Sequence, residues 1–427
     1  MLSYNLGSIP RERGPAMLQA ITKLSTFRSL ENKDWSLLWW AGHLWHLAFW
    51  MDLIVLGWLV LELTNSPFLV ALVGTFRLIP MGFFGILAGS IGDRVPKKRL
   101  LLIAQILNLV VTTGFAAILL LGLEEVWIIY VAALLTGSAW AIDFPIRRAF
   151  IRELVPSKAI VNAMAIDAAS LTGMAMAGRW IGGGFLEWTG PAFAYICLIA
   201  CYFVGFIILL RMPNLFPETN DSDLHHSVLQ DIVSGLTYVL AQPSLRGVFF
   251  LTVLINFFVV PYFQLTPVFA KEVFHIGPGM LGIMSGMDGL GALVGTCILA
   301  SITTTFRPNV VFAAGSMLFG VGVLLFSQTP TYQLGMILLF VVGVGMAGFA
   351  TMQTTITVSQ AEPNMRGRAM GVIALGIGML PLGMAFVGGM AQWFGAPKAL
   401  GLSSLIGLAL MILVVVLQSL NPSTNRS

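Results

Sequence analysis

Charge is scarce in this chain. Asp, Glu, Lys and Arg together make up 10% of its 427 residues, against about 25% in a typical soluble domain. So little charge cannot hydrate a folded surface, which excludes an ordinary water-soluble globule. Cysteine is scarcer still. Cys197, Cys201 and Cys297 all lie in apolar runs, so neither an extracellular disulfide framework nor a cysteine metal centre has the residues it needs. No metal-ligand spacing occurs, and no Walker-type phosphate loop is present, which removes ATP-driven transport within the chain. The first 34 residues hold no apolar core segment, so no cleavable signal peptide is expected.

What the chain has is hydrophobic length. Hydrophobic residues make up 57% of it. Runs such as 53–61, 199–210 and 405–417 lie inside stretches of about 20 residues, the length that crosses a ~30 Å hydrocarbon core as a helix. Lipid offers the backbone no hydrogen-bond partners, so such spans are helices, and they lack the two-residue alternation of barrel strands. The expected fold is an all-α polytopic membrane protein, with twelve transmembrane helices in two pseudo-symmetric six-helix bundles. The spans are read at 35–63, 67–92, 99–122, 126–147, 160–187 and 191–211, then 245–270, 278–302, 309–327, 332–358, 368–393 and 397–417.

The expected domains follow from these spans. Residues 1–34 form a cytoplasmic segment in which Met17, Leu18, Ile21, Leu24, Phe27 and Leu30 recur at helical spacing, as in an amphipathic surface helix. Residues 35–211 form the first six-helix half, 212–243 a cytoplasmic linker with a short helix near 228–240, 244–418 the second half, and 419–427 a cytoplasmic tail. With both termini inside, all but four of the 23 Lys and Arg residues fall on the cytoplasmic side. The exceptions are Lys271 and Lys398 in outer loops, and Arg77 and Arg179 inside the membrane. Such a bias fixes topology, and an odd number of spans would scramble it.

The halves also echo each other. Ser66-Pro67 corresponds to Gly277-Pro278 at an offset of 211, and Gly183, Gly184 and Trp188 correspond to Gly388, Gly389 and Trp393 at an offset of 205. Two six-helix units of the same orientation imply a pseudo-twofold axis along the membrane normal, with a binding site between them near mid-depth.

Between spans 2 and 3 runs Gly89-Ser90-Ile91-Gly92-Asp93-Arg94-Val95-Pro96-Lys97-Lys98-Arg99. Small residues end a helix tightly, an acid follows, and a basic cluster meets the anionic leaflet. This closely resembles the cytoplasmic loop motif of the major facilitator superfamily, with Ile91 in place of a Leu and Pro96 in place of a Gly. The resemblance implies a cytoplasmic gate made by Gly89, Gly92, Asp93, Arg94, Lys97 and Lys98, in which Asp93 holds the halves together near the amino end of span 11. The second half carries Thr304 where the acid would stand, so the latch is expected on one side only. Phe144-Pro145-Ile146-Arg147-Arg148-Ala149 and Arg152-Glu153-Leu154-Val155-Pro156, with Asn162-Ala163 beyond, are similar to the drug:proton antiporter branch that includes enterobactin-type and macrolide-type exporters. In span 5, Gly178-Arg179-Trp180-Ile181-Gly182-Gly183 resembles the exporters' G-P-x-x-G-G stretch, with Arg179 in the Pro position.

Intramembrane charge is costly, at least about 2.5 kcal/mol for an Asp or Arg at a helix centre, and therefore marks candidates. Asp52 and Arg77 both lie about 15 Å deep at 1.5 Å per residue, on antiparallel neighbours, and are expected to pair. Asp288 stands at the same depth and is the pseudo-symmetric counterpart of Arg77, so an Arg77–Asp288 contact across the halves, made in only one conformation, is a further expectation. Arg179 is placed to meet an acid or an anionic ligand across that interface. Burial disfavours a carboxylate's charged form and a nearby arginine favours it, so Asp52, Arg77, Asp288 and Arg179 are the candidates for proton coupling or gating. Asp143 and Arg147, at i,i+4, read as a structural ion pair. His43 and His46 read as packing or weak polar contacts. Cavity candidates are Phe49 and Trp140 with the sparse polar groups Asn256, Gln264 and Gln353.

These features lead to a secondary active transporter that exports a small amphipathic molecule (a drug, siderophore or related metabolite) by alternating access. No cofactor is called for, and a proton gradient is the expected energy source. Uptake by symport or facilitated passage shares every fold-level feature. An intramembrane enzyme or receptor would need a catalytic constellation or a soluble sensor domain, and neither is in the sequence. The expected setting is the plasma membrane of a bacterium (the inner membrane if Gram-negative), as a monomer whose partners are lipid and a small-molecule substrate, not nucleic acid.

Overall fold

The structure, a computed structural model, describes residues 29–92, 95–214, 228–302 and 307–419. The apolar runs become helices whose ends are set by local chemistry. Helix α1 (Lys33–Thr64) starts where the Asn32 side chain accepts from the Asp34 and Trp35 amides. It stops where Asn65 turns left-handed at φ 46°, a conformation that asparagine tolerates. α2 (Pro67–Gly92), α3 (Lys97–Leu121) and α4 (Val126–Leu154) follow.

The continuous helical stretch Ile160–Leu210 is two spans, not one. Gly190 breaks it at φ 80°, ψ 175°, a backbone that glycine alone adopts freely, and Pro191 has no N–H with which to continue the ladder. The break separates α5 (160–189) from α6 (191–210) with no loop between them. A surface helix, Val228–Ala241, precedes the second half; Tyr238 accepts the Glu362 amide there.

α7 (Pro243–Val273) contains two wide, π-helical turns, at Ile255–Val259 and Phe269–Val273. Pro261 and Pro267 remove backbone donors beside them, and such turns re-route the hydrogen bonds that proline denies. α8 (Pro278–Ile302), α9 (Pro308–Gln328) and α10 (Tyr332–Gln360) are unbroken. α11 (Arg366–Phe394) bends at Gly378 and Met379, ahead of Pro381, and α12 (Ala396–Ser419) ends the described chain. Ten stretches among the described residues are long and apolar enough to span a membrane. Dividing α5 from α6 and adding the 26-residue α2 gives twelve.

The internal repeat reappears in the packing. A Cβ on Gly137 of α4 would collide with the Arg77 carbonyl of α2, and one on Gly343 of α10 would collide with the Asp288 carbonyl of α8. These are the same contact in two halves, since Arg77 and Asp288 are pseudo-equivalent. Between the halves, Gly183 of α5 lies on Gly282 and Pro278 of α8, while Gly388 of α11 lies on Ala71 of α2. These two contacts are also pseudo-equivalent. Small residues here let backbones touch, which is how helices associate without a hydrophobic drive.

Among the described residues, the halves touch at one end. Along α5 and α8, Glu187 meets Gly279, Gly183 meets Gly282, Trp180 meets Gly286 and Met176 meets Gly289. The next position of the stripe, Gly173, has nothing within 4 Å of a would-be Cβ. Along α2 and α11 the contacts run from Ser66–Gln392 to Thr75–Pro381, beyond which Ile377, Gly378, Ala374 and Gly371 are exposed. The closed end is the one away from the Lys- and Arg-bearing loops. Among the described residues, a cleft between the halves opens toward the basic end.

Candidate functional site

Two buried Asp–Arg–Tyr clusters stand at mid-span. In the first, Arg77 donates to Asp52 at 2.6 Å and to the Phe49 carbonyl at 3.3 Å. Its guanidinium lies 4.1 Å from the Phe49 ring centre, and the Tyr195 hydroxyl of α6 donates to the other Asp52 oxygen. All of these groups belong to the first half, and the Arg77 and Asp52 side chains are 1% and 2% exposed. The expected pair therefore forms.

The second cluster spans the halves. Arg179 of α5 donates to Asp288 and to the Ser285 carbonyl of α8. Tyr262 of α7 donates to the remaining Asp288 oxygen at 2.6 Å, and Trp50 of α1 lies under the guanidinium at 4.6 Å. The expected Arg77–Asp288 contact is not made in this conformation, in which Asp288 takes Arg179 instead. Pseudo-equivalent residues sit on different seams, α2 against α11 and α8 against α5, so symmetry turns Arg77 and Asp288 away from each other. At the offset of 205 the counterpart of Arg179 is Met384, which touches Gly74 of α2. At this position one seam is thus charged and its twin apolar, and Arg77, with no acid opposite, pairs within its own half.

The second cluster borders a small cavity with room for about one water, lined by Leu53, Gln264, Thr266, Ser285, Arg179 and Asp288 among others. The Gln264 amide donates to the Val70 carbonyl across the halves at 3.0 Å, while its Oε1 is buried without a partner. Further seam contacts close the far end. Lys271 donates to Asn65 at 3.0 Å. The Gly279 amide donates to Glu187 at 2.6 Å, a carboxylate at a helix amino terminus.

The cavity candidates separate into three places. Phe49 and Trp140 stack at 4.2 Å in a first-half aromatic column with Trp45 and Phe144. Arg77 flanks the column at one end and Arg148, 4.0 Å from the Phe144 ring, at the other. Asn256 and Gln353 both bond Thr252, at 2.9 and 2.6 Å. Gln264 lies in the seam described above. α10 adds exposed hydroxyls at Thr351, Thr354 and Thr355. Asp143 and Arg147 form their two-pronged pair at 2.7 and 2.8 Å, and Arg148 lies 3.9 Å from Asp167. His43 reaches the Trp39 carbonyl at 2.9 Å.

Of the loop motif, Gly89 and Gly92 fall on the last turn of α2, while Asp93 and Arg94 lie outside the described residues, as do Thr304 and most of the expected N-terminal surface helix. Lys97 pairs with Glu153 at 2.5 Å, and Lys98 donates to the Leu210 carbonyl at 3.0 Å and to that of Met212. Both lysines tie α3 to its own half.

The family model described as transmembrane secretion effector matches residues 24–426. The staphyloferrin A transporter of Staphylococcus aureus (strain NCTC 8325 / PS 47) is 23% identical over 383 residues, covering 88% of this chain and 93% of the relative. The enterobactin exporter EntS of Shigella flexneri is 25% identical over 339 residues, 78% and 80% of the two chains. Among solved structures, the nucleoside transporter NupG superposes with a TM-score of 0.69 at 13% identity, covering 90% of this chain and 98% of that one. A bacterial homologue of the human lysosomal transporter Spinster, inward-facing and unoccupied, gives 0.66 at 14% identity, covering 90% and 95%.

Proposed function

Because the chain belongs to the transmembrane secretion effector family, a transporter family of the major facilitator superfamily, we propose that it exports a small amphipathic molecule of the siderophore kind, driven by proton entry. The observation that carries this reading is the seam: two halves closed at one end over a buried charge pair, with an open cleft at the other. This is one of the two states that alternating access requires. Since cytoplasmic loops retain Lys and Arg, the open cleft faces the cytoplasm, both termini lie inside, and the state is the one that loads cargo for export. The relatives named for staphyloferrin A and enterobactin support a siderophore-type cargo. The cation-flanked aromatic column and the threonines of α10 suit a ligand with apolar faces and many oxygens. Asp52 and Asp288 are the two mid-span acids available to a coupling proton.

The test is transport in vesicles of defined orientation, with an imposed pH gradient and a panel that includes staphyloferrin A, enterobactin and macrolides. Export is expected against the cargo's gradient and in the opposite sense to the proton's, reversing when the pH gradient is reversed. Movement with the proton would make the protein a symporter, and indifference to the gradient a facilitator. Either result overturns the reading.

A further inference from the structure

The two Asp–Arg–Tyr clusters look alike and differ in one mechanical respect. Asp52, Arg77 and Tyr195 ride on α1, α2 and α6 of one half. A rigid-body movement of one half against the other leaves that cluster intact. Arg179 and Asp288 ride on α5 and α8 of different halves, and opening the far end must pull them apart. We propose that the Arg179–Asp288 pair is a releasable latch on the far end, opened by proton uptake at Asp288, while Asp52–Arg77 is a permanent strut. The proposal deepens, and rests on, the reading of the chain as a proton-driven carrier.

Four observations support the division. Separating a buried ion pair strands both charges away from water, so the seam stays shut until one charge is neutralised, and the acid is the member that can be. Each partner keeps a companion from its own half after separation: Asp288 keeps the Tyr262 hydroxyl, and Arg179 keeps the Trp50 ring. The cavity lined by Gln264, Thr266 and Ser285 brings space for about one water to Asp288. Finally, the twin seam has Met384 against Gly74, so no second latch of this kind duplicates the first.

The charged and titratable groups around Asp288 are few. α5 presents Arg179 and, farther out, Glu187 on the Gly279 amide. α7 presents Tyr262 and, at the far end, Lys271 bonded to Asn65. α1 brings Asp52 beside the cavity-lining Leu53, already held by Arg77 and Tyr195. α10, packed on the Asp288 backbone through Gly343, contributes no Asp, Glu, Lys, Arg or His.

Spin labels read the latch without cargo, gradient or transport. Glu125 and Thr331 are exposed far-end residues, one on each half. With Cys197, Cys201 and Cys297 replaced by Ala, labels on Glu125→Cys and Thr331→Cys report the far-end distance by pulsed electron resonance, in liposomes at equal pH on both sides. The open-to-closed ratio is expected to rise as pH falls, by up to about tenfold per pH unit, the limit for one proton. Asp288→Asn is expected to raise the ratio and abolish its pH dependence, whereas Asp52→Asn and Glu187→Gln keep it. If Asp288→Asn does not fold, Arg179→Gln is expected to raise the ratio at every pH. A parent-like pH response in Asp288→Asn, a response lost in Asp52→Asn or Glu187→Gln, or an unchanged ratio in Arg179→Gln overturns the latch. Failure of the vesicle assay alongside an Asp288-dependent distance change would instead overturn the transport reading and leave the latch standing.

Discussion

At position 77 an arginine lies almost wholly out of water, held by an acid, a carbonyl and an aromatic face. Removing it strands Asp52 with Tyr195 alone. Arg77→Met is therefore expected to cost about 3–5 kcal/mol, the usual range for breaking a buried pair, read as a fall in the unfolding midpoint in detergent. The double change Asp52→Asn with Arg77→Met is expected to recover most of that loss, because no uncompensated charge remains. This pair was legible in the sequence, since equal depth on adjacent antiparallel helices leaves little choice of partner. The partner of Asp288 was not. Counting residues from a helix end gives height in the membrane but not direction around the bundle, and direction decided between Arg77 and Arg179. The bonds that Tyr195 and Tyr262 make to Asp52 and Asp288 were not legible either, because a phenol in an apolar run reads as one more core aromatic until an acid is found against its hydroxyl.

Helix pairs depend on glycine at different places for different reasons. Gly137 and Gly343 seat one helix on another within a half, so Gly137→Ala and Gly343→Ala are expected to lower folded yield and thermal midpoint together. Gly183 seats α5 on α8 across the seam. Gly183→Ala is expected to leave the midpoint near that of the parent while lengthening the far-end spin-label distance. Gly173, on the same stripe but beyond the last contact, is expected to accept Ala with neither effect. Element existence was readable from run length, and the Gly190-Pro191 break from residue type. The wide turns of α7 were not readable, because an apolar helix with prolines has several ways to redistribute its hydrogen bonds, and tertiary packing selects among them.

Across the whole molecule, the offset of 211 matched Arg77 to Asp288, and Gly137–Arg77 with Gly343–Asp288 shows that match recurring in the packing. What the offsets could not convey is that a twofold axis places matching residues on opposite seams. Duplication followed by divergence has left one seam with Arg179 and its twin with Met384. That inequality has a thermodynamic consequence. A carrier with one proton-operated latch moves one proton per cycle, and a proton falling through 100 mV supplies about 2.3 kcal/mol. For an uncharged cargo, accumulation in vesicles driven by that force is expected to level off near fiftyfold, at about 1.4 kcal/mol for each factor of ten. A plateau well above that value at a measured driving force would require a second proton site.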